Sequence, residues 1–334
     1  MNIIEEVLSA CISSAKSEPL RLKQGKKYFE LHNQLNVMVT MPSGTFKSTF
    51  LKNIPKKAMV KAQDYTYPAM VGSIGKKGVV KGYIMKAAGK TLVVDEFHGL
   101  LGNPRRALLS ISEDQQATRV FGFKSDMKEQ KAGKFLKYRI QDNELHIDYV
   151  RCSILLSGIV SPHKQRLAGV DDFAFASRFM PISLTASFDD IDDIALGKKE
   201  VFNIKYDPYF KTPTFNDWDK FVKCYREYIE NMPVKIHGFF KRNPEFYTRG
   251  RLQISRLFSW ASRRNSEVDD WEKYLPYIPF FLYSVVTSTL THSEFEIYDL
   301  LSRGVKPVKI ANMLGCSEAH VSQTVKRIRG LGLY

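Results

Sequence analysis

Apolar residues at Ile4, Val7, Leu8 and Cys11 recur at helical spacing and predict a helix over residues 3–14. A basic segment, Arg21 to Lys27, follows it. From Leu35 the period changes. Short β-rich runs at Asn36 to Thr40, Ala58 to Ala62, Thr91 to Val94 and Ser153 to Leu156 alternate with helical stretches, the pattern of a mostly parallel sheet with helices on both faces. Between the third and fourth runs, Phe135 to Ile140 and Leu145 to Val150 flank the polar Gln141-Asp142-Asn143-Glu144 and read as a β-hairpin. Ala186 to Phe215 is rich in Asp, Pro and Thr without a sustained period and reads as a linker. Beyond it, Trp218 to Tyr228 and Arg251 to Arg264 predict a helical region, and a last helical unit runs from His292 to the end. The chain therefore divides into an N-terminal helix and basic segment (1–30), an α/β core (31–200), a helical region (201–290) and a terminal helical domain (291–334).

Composition narrows the picture. With 334 residues, 44% of them apolar and 25% charged, the chain has material for two or three packed domains and is not disordered as a whole. Fifty Lys and Arg against thirty-five Asp and Glu leave a net charge of +15, which favours a polyanionic partner. Cys11, Cys152, Cys224 and Cys316 lie far apart with no C-x-x-C pair, so neither a disulfide framework nor a zinc ribbon is readable, and a reducing compartment fits. The apolar stretch from Tyr277 to Val286 is too short to span a bilayer. These features predict a soluble, cytoplasmic protein with no membrane partner.

Candidate chemistry lies at the ends of two of the apolar runs. After Asn36 to Thr40 comes Met41-Pro42-Ser43-Gly44-Thr45-Phe46-Lys47-Ser48-Thr49, followed by a predicted helix. A strand, a tight loop and a Lys-Ser pair at a helix start can cradle phosphates on backbone N–H groups. Lys47 would reach the β- and γ-phosphates of ATP, and the Ser48 hydroxyl would hold Mg²⁺. Met41 and Phe46 stand where glycines are usual, and the loop alone fits a plain strand–turn–helix equally well. The run Thr91-Leu92-Val93-Val94 ends in Asp95-Glu96. Asp95 at the carboxyl edge of a buried strand can hold Mg²⁺ through water, and Glu96 can polarise the water that attacks the γ-phosphate.

Together these residues resemble the AAA+ ATPases, and specifically the minichromosome maintenance (MCM) helicases. The loop Pro42-Ser43-Gly44-Thr45-Phe46-Lys47-Ser48 is similar to that family's phosphate loop, and Val94-Asp95-Glu96-Phe97 to its carboxylate motif. Arg105-Arg106-Ala107-Leu108-Leu109 to Glu113-Asp114-Gln115-Gln116 resembles a helix ending in Glu-Gln-Gln. Val150-Arg151-Cys152-Ser153-Ile154-Leu155 resembles the strand after the family's hairpin. The resemblance implies an AAA+ parallel sheet with a helical lid, ATP and Mg²⁺ as cofactors, and a ring of identical subunits, a hexamer. It implies that Arg178, in Ala176-Ser177-Arg178-Phe179, enters the neighbouring subunit's site as an arginine finger, and that Arg249, in Thr248-Arg249-Gly250-Arg251-Leu252, is the lid's sensor 2. The family's sensor 1 asparagine is absent from Leu156-Ser157-Gly158-Ile159-Val160, where Ser157 is the nearest polar substitute. The family's large N-terminal region has no counterpart in the roughly thirty residues before the core.

Two inserts carry basic residues where a translocating ring of this kind would touch single-stranded DNA: Lys76, Lys77, Lys81 and Lys86 in one, and Lys134, Lys137 and Arg139 in the predicted hairpin. At the C-terminus, Phe295 to Leu301, Pro307 to Leu314, a Gly315 turn and a helix capped by Ser317 match a helix-turn-helix, winged-helix-like unit. Its exposed positions, Ser317, His320, Ser322, Gln323 and Lys326, would face duplex DNA. From Arg303 onward six Lys or Arg stand against the single acid Glu318. The expectation is an ATP-dependent DNA helicase or translocase resembling a minimal MCM protein. A DNA-bound ATP switch without unwinding activity, and a non-hydrolysing scaffold, remain open as alternatives.

Overall fold

The computed structural model describes residues 3–41, 47–75, 78–97, 100, 102–121, 129–159, 175–183, 196, 202–232, 234–287 and 290–331. Pro42, Ser43, Gly44, Thr45, Phe46, Lys76 and Lys77 lie outside them. At the centre is a five-stranded sheet, parallel throughout, in the order Met180–Ser183, Val37–Met41, Ser153–Ile159, Thr91–Asp95, Met59–Ala62. Its strands are apolar runs because both faces are covered: Leu92, Val93, Val94, Ile154, Leu155 and Leu156 are all fully buried. The polar atoms inside are matched in pairs, as Thr91 Oγ1 with Ser153 Oγ at 3.0 Å and the Ile154 N–H with Asn36 Oδ1 at 2.9 Å. The helix Ile3–Ser13 buries Val7, Leu8, Ala10, Cys11 and Ile12 and packs on the Ser153–Ile159 strand.

Four of these strands coincide with the runs expected from apolar patterning; the fifth, Met180–Ser183, does not. It is four residues long and contains Pro181, which supplies no N–H. Its place at the sheet edge tolerates that loss. The basic segment after the first helix folds as well. Leu20–Gln24 and Lys27–Leu31 pair antiparallel around Gly25-Lys26, where Gly25 stands at φ +58°, and Leu20–Gln24 also pairs with Thr214–Phe215.

A second sheet is antiparallel, in the order Ala117–Val120, Glu144–Val150, Leu136–Gln141, Gln130–Ala132. The expected hairpin is its centre, turning at Asp142 and Asn143 with φ +50° and +65°. A small hairpin, Gly72–Gly75 with Gly78–Lys81, docks beside it: Glu129 Oε2 accepts the Val79 N–H at 3.2 Å, and the Arg119 guanidinium donates to the Gly72 carbonyl.

After residue 215 the chain is helical: Trp218–Glu230, Val234–Arg242, Pro244–Ala261 and Ile278–Thr287. Phe215, Trp218, Phe221, Phe258 and Trp271 pack ring against ring with centroids 5.3 to 6.4 Å apart. Truncating one of these rings to alanine would cost about 3–5 kcal/mol. One continuous hydrophobic core runs from Val7 to Val285, and a separate one, from Leu290 to Ile328, serves the last three helices. Among the described residues no helix is long and apolar enough to cross a membrane.

Candidate functional site

The order of the parallel strands decides which side chains meet. Val37–Met41 leads on to the edge strand Met59–Ala62, while its neighbour Ser153–Ile159 leads the opposite way, to Met180–Ser183. Such a reversal opens a crevice outside the carboxyl ends of the strands. There Asp95, last in its strand, pairs in register with Ser157, and Ile159 pairs with Met41. The helix Lys47–Lys52 begins six residues after Met41. Lys47 and Ser48 are its first two residues, and Thr49, half-buried, is the third.

Asp95 is held from several directions. Its Oδ1 accepts from Ser157 Oγ at 2.7 Å and from the Glu96 N–H at 3.0 Å, and its Oδ2 accepts from Lys61 Nζ at 3.1 Å. Tyr65 donates its hydroxyl to the Asp95 carbonyl. Burial, and then the charges of Asp95 and Glu96, push the Tyr65 phenol up to about 12, so it stays a donor at neutral pH. Glu96 is exposed and stands at φ +53°, the left-handed region that side chains rarely adopt, and the strand ends there. Phe97 then turns inward against Gly158, where a Cβ would lie 2.6 Å from its ring. Ser157, fully buried, is the polar group that the missing sensor asparagine left as a candidate, and the structure puts it on Asp95. Lys61 and Tyr65, absent from the residues expected here, complete the cluster.

Among the described residues no group of three or more His, Cys, Asp or Glu could hold a metal ion. One carboxylate with hydroxyl neighbours is nonetheless the donor set that Mg²⁺ uses when phosphates and water supply its remaining ligands.

The two candidate arginines lie at the other edge. Arg178 precedes Met180, whose register partner Val37 begins its own strand. Arg178 Nε donates to Glu113 Oε2 at 3.0 Å and its Nη2 donates to the same oxygen. Arg249 Nη2 donates to Glu113 Oε1 at 2.6 Å and Nη1 to Ser177 Oγ at 2.7 Å. Burial works to raise the Glu113 carboxyl, but the hydrogen bonds and charges of both arginines outweigh it and hold the group below its ordinary range. Arg249, Gln253 and Arg256 share one face of the helix Pro244–Ala261 at i, i+4 and i+7. Gln253 donates to the Arg178 carbonyl at 2.6 Å, and the buried Arg256, its pKa pulled down to about 10 by burial, donates to the His32 carbonyl at 2.7 Å. The helix Pro244–Ala261 is thereby fastened along the amino edge.

No family model matches the chain, and no curated protein matches it.

The second basic insert is the hairpin at the centre of the antiparallel sheet. The tip of the hairpin carries Asp142, Asn143 and Glu144, and Arg139 is neutralised by Asp148 at 3.1 Å. Lys134 and Lys137 sit at the opposite end, near the turn between Gln130–Ala132 and Leu136–Gln141. There Lys134 Nζ lies 4.2 Å from the Phe210 ring centroid, a cation–π contact. Lys81, Lys86 and Lys131 line a neighbouring cavity of about 430 Å³ with Phe135.

The last three helices are His292–Ser302, Pro307–Leu314 and Glu318–Leu331, with Gly315 at φ +62° making the turn between the second and third. Ser317 Oγ accepts the His320 N–H at 3.2 Å, so its hydroxyl caps the third helix. His320 Nε2 lies 3.2 Å from Ser293 Oγ. Ser317, His320, Ser322, Gln323 and Lys326 are all exposed, whereas Arg327 pairs with Glu294 at 2.7 Å inside the unit. Arg242, on the helix Val234–Arg242, donates to the Gly330 carbonyl at 3.2 Å and joins the unit to that helix.

Proposed function

We propose that the protein is an ATPase of the AAA+ type that works on DNA, a helicase or translocase resembling a minimal MCM protein and assembled as a ring, most simply a hexamer. The observation that carries this reading is the seating of Asp95 on Ser157, one strand away from the strand that feeds the Lys47–Ser48 helix. Lys47 would contact the β- and γ-phosphates. Ser48 and Asp95 would hold Mg²⁺, which neutralises charge developing on the phosphate oxygens. Glu96 orients the attacking water and accepts its proton.

The position of Arg178 supports sharing of the site between subunits. Asp95 and Met180 are three strand spacings apart, about 14 Å, and the register adds two residues, about 7 Å, along the sheet. From that edge Arg178 would serve a neighbour's phosphates in the way of an arginine finger. The lysines around the 132–136 turn, with Phe135 and Phe210, supply phosphate attraction and stacking surface for single-stranded DNA.

A second reading, a DNA-bound ATP switch without unwinding, is favoured by one observation. The C-terminal three-helix unit has its own core and presents Gln323 and Lys326 to solvent, as a helix-turn-helix reading duplex DNA would.

The test is ATP turnover of the purified protein with and without single-stranded DNA, beside Glu96→Gln. DNA-stimulated turnover lost in the variant supports the motor. Turnover indifferent to single-stranded DNA favours the switch, and no turnover in either sample overturns the ATPase reading.

A further inference from the structure

The cavity of about 430 Å³ beside the antiparallel sheet belongs to neither cluster of the parallel sheet. Three elements surround it: the small hairpin that ends at Lys81, the short helix Tyr83–Lys86, and the turn between Gln130–Ala132 and Leu136–Gln141. Lys81, Lys86 and Lys131 supply its cations, Met85, Phe135 and Leu136 supply apolar surface, and no lining residue is acidic. Three ammonium groups around one pocket, with no carboxylate among them, favour an anionic occupant. Lys134 is engaged elsewhere, over the Phe210 ring, and Phe210 stacks on Phe135 with ring centroids 6.1 Å apart.

The walls are fixed by backbone. At Gly82, next to Lys81, a Cβ would lie 2.5 Å from Gly72 N and from the Met70 carbonyl oxygen, so main chains meet there without room for a side chain. Gly89, at φ +72°, lies under the Phe135 ring, where a Cβ would come within 2.9 Å. Its N–H donates to the Arg151 carbonyl at 2.8 Å, and the Arg151 N–H donates to the Phe135 carbonyl at 2.9 Å. The Gly133 N–H donates to the Leu136 carbonyl at 2.8 Å and closes the turn. A pocket framed in this way is ready before its ligand arrives, which spares binding the cost of ordering it.

We propose that this cavity is a second nucleotide site, taking a free nucleoside di- or triphosphate. Its phosphates would lie on Lys81, Lys86 and Lys131, and its base against Met85, Phe135 and Leu136. Three cations exceed what one phosphate needs, and a bare polyphosphate would leave the apolar surface unused. The volume falls in the range of small-ligand pockets, roughly 300–1,000 Å³. The site is separate from the Lys47–Asp95 crevice. The helix Tyr83–Lys86 precedes the strand Thr91–Asp95, whose four steps, about 13 Å, part its amino end from Asp95. The proposal goes beyond the ATPase reading and does not rest on it.

The test is equilibrium dialysis of the full chain against labelled ADP, which avoids turnover, without DNA. Wild type should bind two ADP per chain. Lys81→Ala with Lys131→Ala should retain one and weaken the other by about a hundredfold, the loss expected from two charge-assisted hydrogen bonds. Lys47→Ala should likewise retain one, which oligothymidylate should not displace. If the alanine pair fails to melt cooperatively, Lys81→Gln with Lys131→Gln, which keeps the aliphatic stems, takes its place. One ADP per chain, lost in Lys47→Ala and kept in the double variant, overturns the inference and leaves the ATPase reading standing. One ADP lost only in the double variant supports the inference and removes the phosphate loop. Displacement by oligothymidylate overturns the inference by placing the cavity on a DNA path, and no ADP binding overturns both.

Discussion

The two edges of the parallel sheet carry opposite chemistry. At the carboxyl edge, Asp95 takes the hydroxyl of Ser157 and the ammonium of Lys61, with Glu96 beside it. At the amino edge, Arg178 and Arg249 share the carboxylate of Glu113, and Arg256 donates to a carbonyl. Phosphoryl transfer needs both halves, metal-holding and water-orienting carboxylates on one side and cations for developing charge on the other. In this chain a sheet's width separates them, and no rotamer change closes that gap. On the ATPase reading proposed above, one protomer would hold two half-sites facing different ways, and activity would arise only where copies meet.

Four experiments would break or sharpen this contrast. Arg178→Ala should reduce kcat by about a thousandfold or more, the scale of an arginine finger, with ATP binding retained; an unaltered rate would detach the amino edge from catalysis. At the opposite edge, Ser157→Ala removes a buried hydrogen bond to a carboxylate and should cost about 1.5–3 kcal/mol in urea unfolding, with a raised Mg²⁺ requirement for turnover. Gly158→Ala drives a Cβ into the Phe97 ring and should cost about 1–3 kcal/mol, read as a lower denaturation midpoint and reduced kcat, because Phe97 directly follows Glu96. Lys61→Ala breaks a pair whose lysine is 43% exposed and should change stability by less than about 1 kcal/mol. Its larger mark would be a weaker dependence of Mg²⁺ affinity on salt.

The amino edge also has a pH signature. The lowered pKa of Glu113 means that its clasp contributes fully above the ordinary carboxylate range and is lost as pH falls through the lowered value. The melting temperature of wild type should therefore exceed that of Glu113→Gln at pH 7, with the difference vanishing in acid. A difference that grows on acidification would contradict the clasp.

Sequence pattern exposes one edge more readily than the other. Apolar runs ending in Lys-Ser or Asp-Glu can be read locally, because a buried strand and its polar terminus are adjacent in the chain. The Ser157 contact with Asp95 depends on strand order, which four short runs do not determine. Glu113 and its two arginines are separated by 65 and 136 positions, so only the packing of the helix Pro244–Ala261 brings them together. Met180–Ser183 escaped pattern reading because a four-residue strand with a proline carries little periodicity, and the Leu20–Leu31 hairpin because its lysines read as a charge run. The second sheet shows the same limit. Its central hairpin is legible from alternation, but the neutralisation of Arg139 by Asp148 and the contact of Lys134 with Phe210 follow from cross-strand and long-range packing.

The central claim, that the hydrolytic site is completed by a second copy, is tested most directly by ATP turnover per protomer across a dilution series of the wild-type protein. The account predicts that the specific rate falls steeply once dilution separates the copies, and that it is restored on reconcentration. A specific rate that stays constant from assembled to monomeric protein would contradict it.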